Sequence, residues 1–277
     1  MAAIGMAAIG MVTWKRRLLI GLALVAALYG AALGFIAWRQ EALLFAPQVL
    51  PADHRFERGT DVHETWVDVP GARLNALHLQ LPQPVGLVFF LHGNGGSLDN
   101  WFVDIDFYRR ANIDLFMIDY RGYGKSSGRI TSEAQLQADV RAAWEQIAPQ
   151  YAGLRRVIFG RSLGTGLAGA LAAEVQPEQT ILASPYISMQ ALAAEHYAWV
   201  PGALLRYPLR TDLVLPRIRG AVLLVHGERD TLIQPSHSQA LQRLAPAARL
   251  ALIPGAGHND LQRFPVYREQ LLPALRP

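Results

Sequence analysis

VIFGRSLGTGLAGALAAE, residues 157–174, joins a short run of β-branched and aromatic side chains to a stretch rich in Ala, Leu and Gly. The first part reads as a strand and the second as a helix. Between them Gly160-Arg161-Ser162-Leu163-Gly164 makes a GxSxG turn. A strand-to-helix turn this sharp holds its serine in a strained conformation, and small flanking residues keep strand and helix from colliding. The serine hydroxyl then projects beyond the strand's carboxyl end, where the following helix's N-terminus favours developing negative charge. Ser162 is therefore the expected nucleophile.

Working outward, the same alternation of short apolar runs and helical stretches fills the chain after Pro47 and Pro51. Strands are predicted at 65–69, 74–81, 86–91, 115–119, 156–159, 180–183, 221–225 and 250–253. The first two read as an antiparallel pair joined at Pro70-Gly71. The later ones are continuously apolar, as strands covered on both faces must be. Helices are predicted over 132–147, with Ser132 as N-cap, and over 163–174. The expected fold class is α/β, with a mainly parallel central sheet, helices on both faces and only a small lid within 185–220. Residues 46–277 are read as one domain.

In such sheets reactive groups gather at the carboxyl ends of strands. After the run Ala-Val-Leu-Leu-Val stands His226-Gly227-Glu228-Arg229-Asp230, and after Leu-Ala-Leu-Ile stands Pro254-Gly255-Ala256-Gly257-His258. A serine needs a base to take its proton, and that base needs a carboxylate to fix its tautomer and steady its charge. His258 is the expected base and Asp230 the acid, with Glu228 as the competing carboxylate. His226, at a strand end, is read as structural. Arg161 is read as solvent-facing in preference to substrate-contacting. The tetrahedral oxyanion needs two preorganised N–H donors. Leu163 supplies one in this reading, and the glycine-rich loop His92-Gly93-Asn94-Gly95-Gly96 the other, through Asn94 or else Gly95.

A second GxSxG, Gly124-Lys125-Ser126-Ser127-Gly128, has neither strand before it nor helix after it, and is read as a loop. Its Gly-Lys-Ser is not a phosphate-binding P-loop, because the glycine required five residues before Gly124 is Asp119. Among the 277 residues there is no cysteine, which removes disulfides and thiolate metal sites. The eight histidines are dispersed without an HExxH motif, so no metal or organic cofactor is expected. Twenty-six basic against 22 acidic residues give a net charge of +4. The basic residues form no concentrated stripe, which argues against nucleic acid as a partner.

Residues 18–38 are uncharged and long enough to cross a bilayer, which takes roughly 20 residues of helix. Lys15, Arg16 and Arg17 precede the segment and Arg39 follows it, so the N-terminus is expected in the cytoplasm and the catalytic domain outside it, periplasmic in a bacterium. Residues 1–45 are read as a tail and single-pass anchor, with a cleaved signal peptide as the rival. Gly30 and Gly34 form a GxxxG pair that is given no role, and the oligomeric state is left open. The opening MAAIGMAAIGM repeat is likewise assigned no function.

Taken together, LLFAP at 43–47, LHGNGG at 91–96, DYRGYGKSSG at 119–128, FGRSLGTGLA at 159–168, HGERDTLI at 226–233 and GAGHND at 255–260 resemble the membrane-anchored α/β-hydrolase-domain proteins. That group includes bacterial inner-membrane members and eukaryotic lipid and protein-thioester hydrolases. The resemblance implies Ser162, Asp230 and His258 as a triad, supports Asn94 and Leu163 as oxyanion donors, and makes 119–126 a structural loop near the site. Thr165 departs from it, standing where many relatives carry Gly. The implied activity is hydrolysis of an ester or thioester in a small or lipid-like acyl substrate. Peptidase or perhydrolase chemistry on the same fold, and a non-enzymatic membrane-anchored scaffold, are the other readings. Tyr186, Tyr197, Trp199 and Tyr207 are left open between lining an acyl pocket and covering the sheet.

Overall fold

The computed structural model describes residues 2–276, with side chains from Trp14 onward, and the chain divides into two compact units, Met1–Leu43 and Leu44–Pro277. In the first unit a long helix, α1, runs from Ala2 to Trp38, and a short helical segment begins at Gln40. It begins well before the predicted residue 18, because Ala, Ile, Met and Val continue without a proline to break it. The backbone of the N-terminal repeat is part of this helix, and its side chains lie outside the described residues. Among the described residues, Trp14–Trp38 is the one helical stretch long and apolar enough to cross a membrane, and its apolar side chains are exposed. At 1.5 Å per residue, its 25 residues extend about 37 Å.

The second unit is built on an eight-stranded sheet. Its strands are β1 (Val62–Val69), β2 (Ala72–Leu79), β3 (Gly86–Leu91), β4 (Asp114–Ile118), β5 (Arg155–Arg161), β6 (Gln179–Ala183), β7 (Ala221–Gly227) and β8 (Arg249–Ile253). The spatial order is β8-β7-β6-β5-β3-β4-β2-β1. From β4 to β8 every pairing is parallel, whereas β1 pairs antiparallel with β2, and β2 with β4. All eight strands predicted from the apolar runs are present, most of them longer by one or a few residues. Strand β2 stops at Leu79 because the Leu81 N–H, beside Pro82, turns to the Asp114 carboxylate at 2.8 Å instead of to a neighbouring strand.

Alternation along β3 explains why its sequence is unbroken apolar. Leu87, Phe89 and Leu91 pack with α3 (Glu133–Ile147) and α4 (Gly164–Val175) on one face. Val88 and Phe90 pack with α2 (Ile105–Ala111) and α7 (Pro265–Leu275) on the other, α5 (Met189–His196) and α6 (Pro235–Leu244) falling between α4 and α7 in the chain. Successive side chains point to opposite faces, so covering both leaves no place for a polar residue. Helix α3 starts as its sequence demands, with the Ser132 hydroxyl accepting from the Gln135 N–H at 3.1 Å.

One pairing lay beyond the sequence reading. Ala46–Pro47 runs parallel to Gly95–Gly96 as a two-stranded ribbon, and the Gln48 N–H extends it to the Gly96 carbonyl. Phe45 is buried edge-on against Tyr207, with ring centroids 5.1 Å apart. The 43–47 motif thus serves to pin the glycine-rich loop that follows β3.

Candidate active site

The chain passes from β3 to β4 on one side and then crosses to β5 on the other, so the crevice between the carboxyl ends of β3 and β5 is a topological switch point. Ser162 stands at the end of β5 with φ +51°, a left-handed conformation disfavoured for a side chain with a Cβ. Its N–H is held by the Ala183 carbonyl at 2.9 Å and its carbonyl by the Thr165 N–H at 2.9 Å. Two glycines make the turn sterically feasible. A methyl at Gly160 would lie 2.6 Å from Ala168 Cβ, and one at Gly164 would collide with the Leu91 carbonyl.

Three of the sequence-predicted residues meet here in one hydrogen-bonded chain. The His258 Nε2 lies 3.0 Å from Ser162 Oγ, and its Nδ1 lies 2.7 Å from Asp230 Oδ2. Because a carboxylate only accepts, Nδ1 carries the proton and Nε2 turns its lone pair toward the serine. Asp230 is buried, and its other oxygen accepts from the Leu232 and Ile233 N–H groups at 3.0 and 2.8 Å. Burial alone pushes this carboxyl's pKa up, but hydrogen bonds from His226, His258 and Ile233 outweigh it and hold the pKa well below the usual carboxylate range. Asp230 is thus a fixed anion at neutral pH. Glu228, the competing acid, is exposed on the same loop.

Known proteins resemble the chain to differing extents. A family model described as serine aminopeptidase, S33, matches residues 82–212. Human α/β-hydrolase domain-containing protein 17B is 33% identical over 195 residues, which is 66% of this chain and 64% of that protein. The corresponding 17C protein of Xenopus tropicalis is 32% identical over 193 residues, 66% of this chain and 59% of that protein. The chain therefore spans less than two thirds of the length of these relatives. Among solved structures, an esterase of Pyrococcus furiosus superposes with a TM-score of 0.64 at 19% identity, covering 84% of this chain and 98% of that one. A bacterial membrane phospholipase A gives 0.60 at 17% identity, covering 92% and 96%. The chain has the α/β-hydrolase fold and is similar to these proteins.

The remaining predicted residues flank the serine. A methyl built on Gly93 would sit 3.5 Å from Ser162 Cβ, so the loop after β3 lies against Ser162. Asn94 has its carbonyl tied to the Tyr123 hydroxyl at 2.7 Å and its side-chain oxygen to the Ala46 N–H at 3.1 Å. Among the described residues neither the Asn94 nor the Leu163 backbone N–H donates to a protein acceptor. Both are left available at the turn.

Several contributors escaped the sequence reading. Arg161 was expected to face solvent. Instead it is only 7% exposed and donates from Nη2 to the His258 carbonyl at 2.5 Å, anchoring the base's loop. A residue one position before Ser162 and at a buried strand end is drawn inward, and its partner lies 97 positions away. His226 is buried and structural as read, but it also supports the acid. Its Nε2 donates to the Ile233 carbonyl at 2.7 Å and lies 3.3 Å from Asp230 Oδ2. Thr165, the departure from the family pattern, sends its hydroxyl to the Ser162 carbonyl at 2.7 Å. Ser126 of the second GxSxG donates to the Asp119 carbonyl and accepts from the Asn75 N–H, each at 2.8 Å, which makes it a loop brace. Of the four open aromatics, Tyr186 and Tyr207 are fully buried in the core, while Tyr197 and Trp199 are exposed in the 185–220 segment.

Beside Arg161 a pocket of about 510 Å³ opens between α2, α7 and the loop after β3. Trp101, Phe107 and Tyr108 form apolar walls, and Arg161, Asp104 and Arg268 bring charge to it. Its size falls within the range of small-molecule sites.

Proposed function

We propose that this α/β-hydrolase is a serine hydrolase that transfers the acyl group of an ester or thioester to water through Ser162. The observation that carries this reading is the unbroken relay from Asp230 through His258 Nδ1 and Nε2 to Ser162 Oγ, with distances of 2.7 and 3.0 Å, on a serine held at positive φ. His258 takes the hydroxyl proton as Oγ attacks the carbonyl carbon, and Asp230 steadies the resulting imidazolium. The backbone N–H groups of Leu163 and Asn94 receive the oxyanion. His258 returns the proton to the leaving alcohol or thiol, and an acyl-serine forms. A water, deprotonated by the same imidazole, then releases the carboxylic acid.

The names esterase and membrane phospholipase A among the structural neighbours agree with acyl chemistry on this fold. The apolar helix supplies a membrane anchor in this reading, with Lys15, Arg16 and Arg17 retained in the cytoplasm and the catalytic domain on the outer side. A membrane-held hydrolase suits lipid-like acyl substrates. The matched family model's description makes an aminopeptidase the second reading. The cation Arg161 beside the serine disfavours the substrate ammonium group that such an activity requires.

The test is fluorophosphonate labelling of the full chain and of Ser162→Ala, followed by a panel of p-nitrophenyl esters, acyl thioesters and aminoacyl p-nitroanilides. Labelling confined to the wild type, with turnover of esters or thioesters, is expected. Equal labelling of both proteins would remove Ser162 as nucleophile, and turnover of anilides alone would favour the peptidase. A C-terminal reporter active only in the cytoplasm would reverse the orientation, and a mature N-terminus after residue 38 would show a cleaved signal.

A further inference from the structure

A buried cation next to a nucleophile requires an explanation, since removing a charge from water costs several kcal/mol unless something compensates it. Arg161 is 7% exposed, and among the described residues no carboxylate forms an ion pair with it. The nearby Asp104 is committed to Arg268, which holds it through two contacts at 3.0 and 3.1 Å. Arg161 spends Nη2 on the His258 carbonyl, while its buried Nε has no acceptor in the protein. The guanidinium lines the 510 Å³ pocket together with Trp101 and Tyr108. With Asp104 and Arg268 cancelling, the pocket's remaining formal charge is the single positive charge of Arg161.

We propose that this pocket is an anion-binding subsite, in which Arg161 receives a carboxylate or phosphate carried by the substrate close to its scissile bond. The guanidinium matches such groups in geometry, offering several N–H donors in one plane. The apolar Trp101, Phe107 and Tyr108 walls lower the local polarity and strengthen the attraction. Trp101 is fixed for this by its indole N–H, which donates to the Gly95 carbonyl at 2.6 Å. A methyl built on Gly93 would lie 2.7 Å from Trp101 Cη2 and 3.5 Å from Ser162 Cβ, so the indole edge and Ser162 both lie against Gly93. An anion in this pocket is therefore within a small molecule's length of Ser162. The selected substrates are acyl compounds with a negative group near the reacting carbonyl, on either its acyl or its leaving-group side.

The inference rests on the hydrolase reading only for the role of Ser162, and a binding measurement separates the two. Full-length Ser162→Ala, held in phosphatidylcholine nanodiscs, is titrated calorimetrically with monobutyl succinate, with butyl phosphate and with the neutral ethyl butyl succinate. At least one anion is expected to bind tenfold or more tightly than the neutral diester, and the stronger of the two identifies carboxylate or phosphate. Arg161→Gln, which removes the charge and shortens the side chain, is expected to abolish the difference, and Arg161→Lys to retain part of it. Equal binding of all three probes, or a preference that survives Arg161→Gln, overturns the proposal.

Catalysis supplies the second readout. The ratio of kcat/KM for p-nitrophenyl hemisuccinate over p-nitrophenyl butyrate places charge on the acyl side, and 4-(butyryloxy)benzoate over phenyl butyrate places it on the leaving group. One ratio is expected to exceed ten and to fall toward one in Arg161→Gln, chiefly through KM. A purely structural Arg161 would slow charged and neutral esters alike, leave both ratios unmoved and refute the subsite. Anion binding without turnover of any ester would sink the hydrolase reading and leave the subsite standing.

Discussion

Replacing Asp230 by Asn tests the proposed relay at its most determined point. The carboxylate takes the Leu232 and Ile233 N–H groups on Oδ1, and on Oδ2 it faces His258 Nδ1 at 2.7 Å and His226 Nε2 at 3.3 Å. An amide has one accepting oxygen, and the two backbone donors claim it because they cannot rotate away. The NH2 group then points at His258 Nδ1. That nitrogen must become an acceptor, and the imidazole proton moves to Nε2, facing the serine it should deprotonate. The same NH2 meets the His226 Nε2–H, already donating to the Ile233 carbonyl at 2.7 Å, so two donors oppose each other. A reversed tautomer in such a relay lowers kcat by about a thousand- to ten-thousandfold. That corresponds to about 4 to 5 kcal/mol at 1.36 kcal/mol per factor of ten. The assay is kcat on p-nitrophenyl butyrate together with the rate of fluorophosphonate labelling, both on protein whose thermal transition shows it folded. Activity within tenfold of the wild type, or a larger loss in Glu228→Gln, would refute the assignment of the acid.

Thr165→Val removes the hydroxyl that donates to the Ser162 carbonyl but keeps the Thr165 N–H on that oxygen. Stability should fall by about 1 kcal/mol, read as a melting temperature lower by about 2 to 4 °C for a domain of this size. Gly164→Ala drives a methyl into the Leu91 carbonyl and to 2.6 Å from the His92 carbonyl, both backbone atoms at the base of the oxyanion loop. Overpacking of this kind costs about 1 to 3 kcal/mol, and fluorophosphonate labelling should slow at least tenfold. Burial pushes the His78 imidazole pKa down to about 4 from 6.5. The unfolded chain then binds the extra proton first, so this contribution is complete above pH 6.5, declines as pH falls and is lost by about pH 4. The shift corresponds to about 3 kcal/mol. In urea unfolding at pH 7.5 and 4.5, His78→Gln should lose less stability than the wild type, and an equal loss would exclude His78 as the source.

How far the sequence disclosed this site depends on how far apart in the chain the interacting groups lie. The turn at Ser162 was legible because its strand, glycines and helix are contiguous, and each constraint acts within a few residues of the next. Asp230 and His258 were legible for a related reason. Each follows an apolar run that had to be a strand, and parallel strands deliver their carboxyl ends to one edge of the sheet. Arg161 was misread because no local pattern shows that its strand end is covered by α7 or that its acceptor is the carbonyl of His258. The support that His226 gives to Asp230 was hidden for a different reason. The two are only four residues apart, but their approach depends on the Asp230 loop folding back so that the Ile233 carbonyl reaches His226 Nε2.

These two unread residues also define what distinguishes this site from the bare triad. His226, His258 and the two backbone N–H groups hold Asp230 ionised despite its burial. Arg161 is in the opposite condition, buried with a donor unused and bonded through another to the loop that carries the base. An anion arriving at Arg161 would complete the hydrogen bonding of the same side chain that holds His258 in place. Charge on the substrate would then influence where the base sits as well as how tightly the substrate binds. The KM and kcat components of the Arg161→Gln comparison separate these effects. A change confined to KM means anchoring of the substrate alone, whereas an additional loss of kcat specific to anionic esters means that their binding also sets the base.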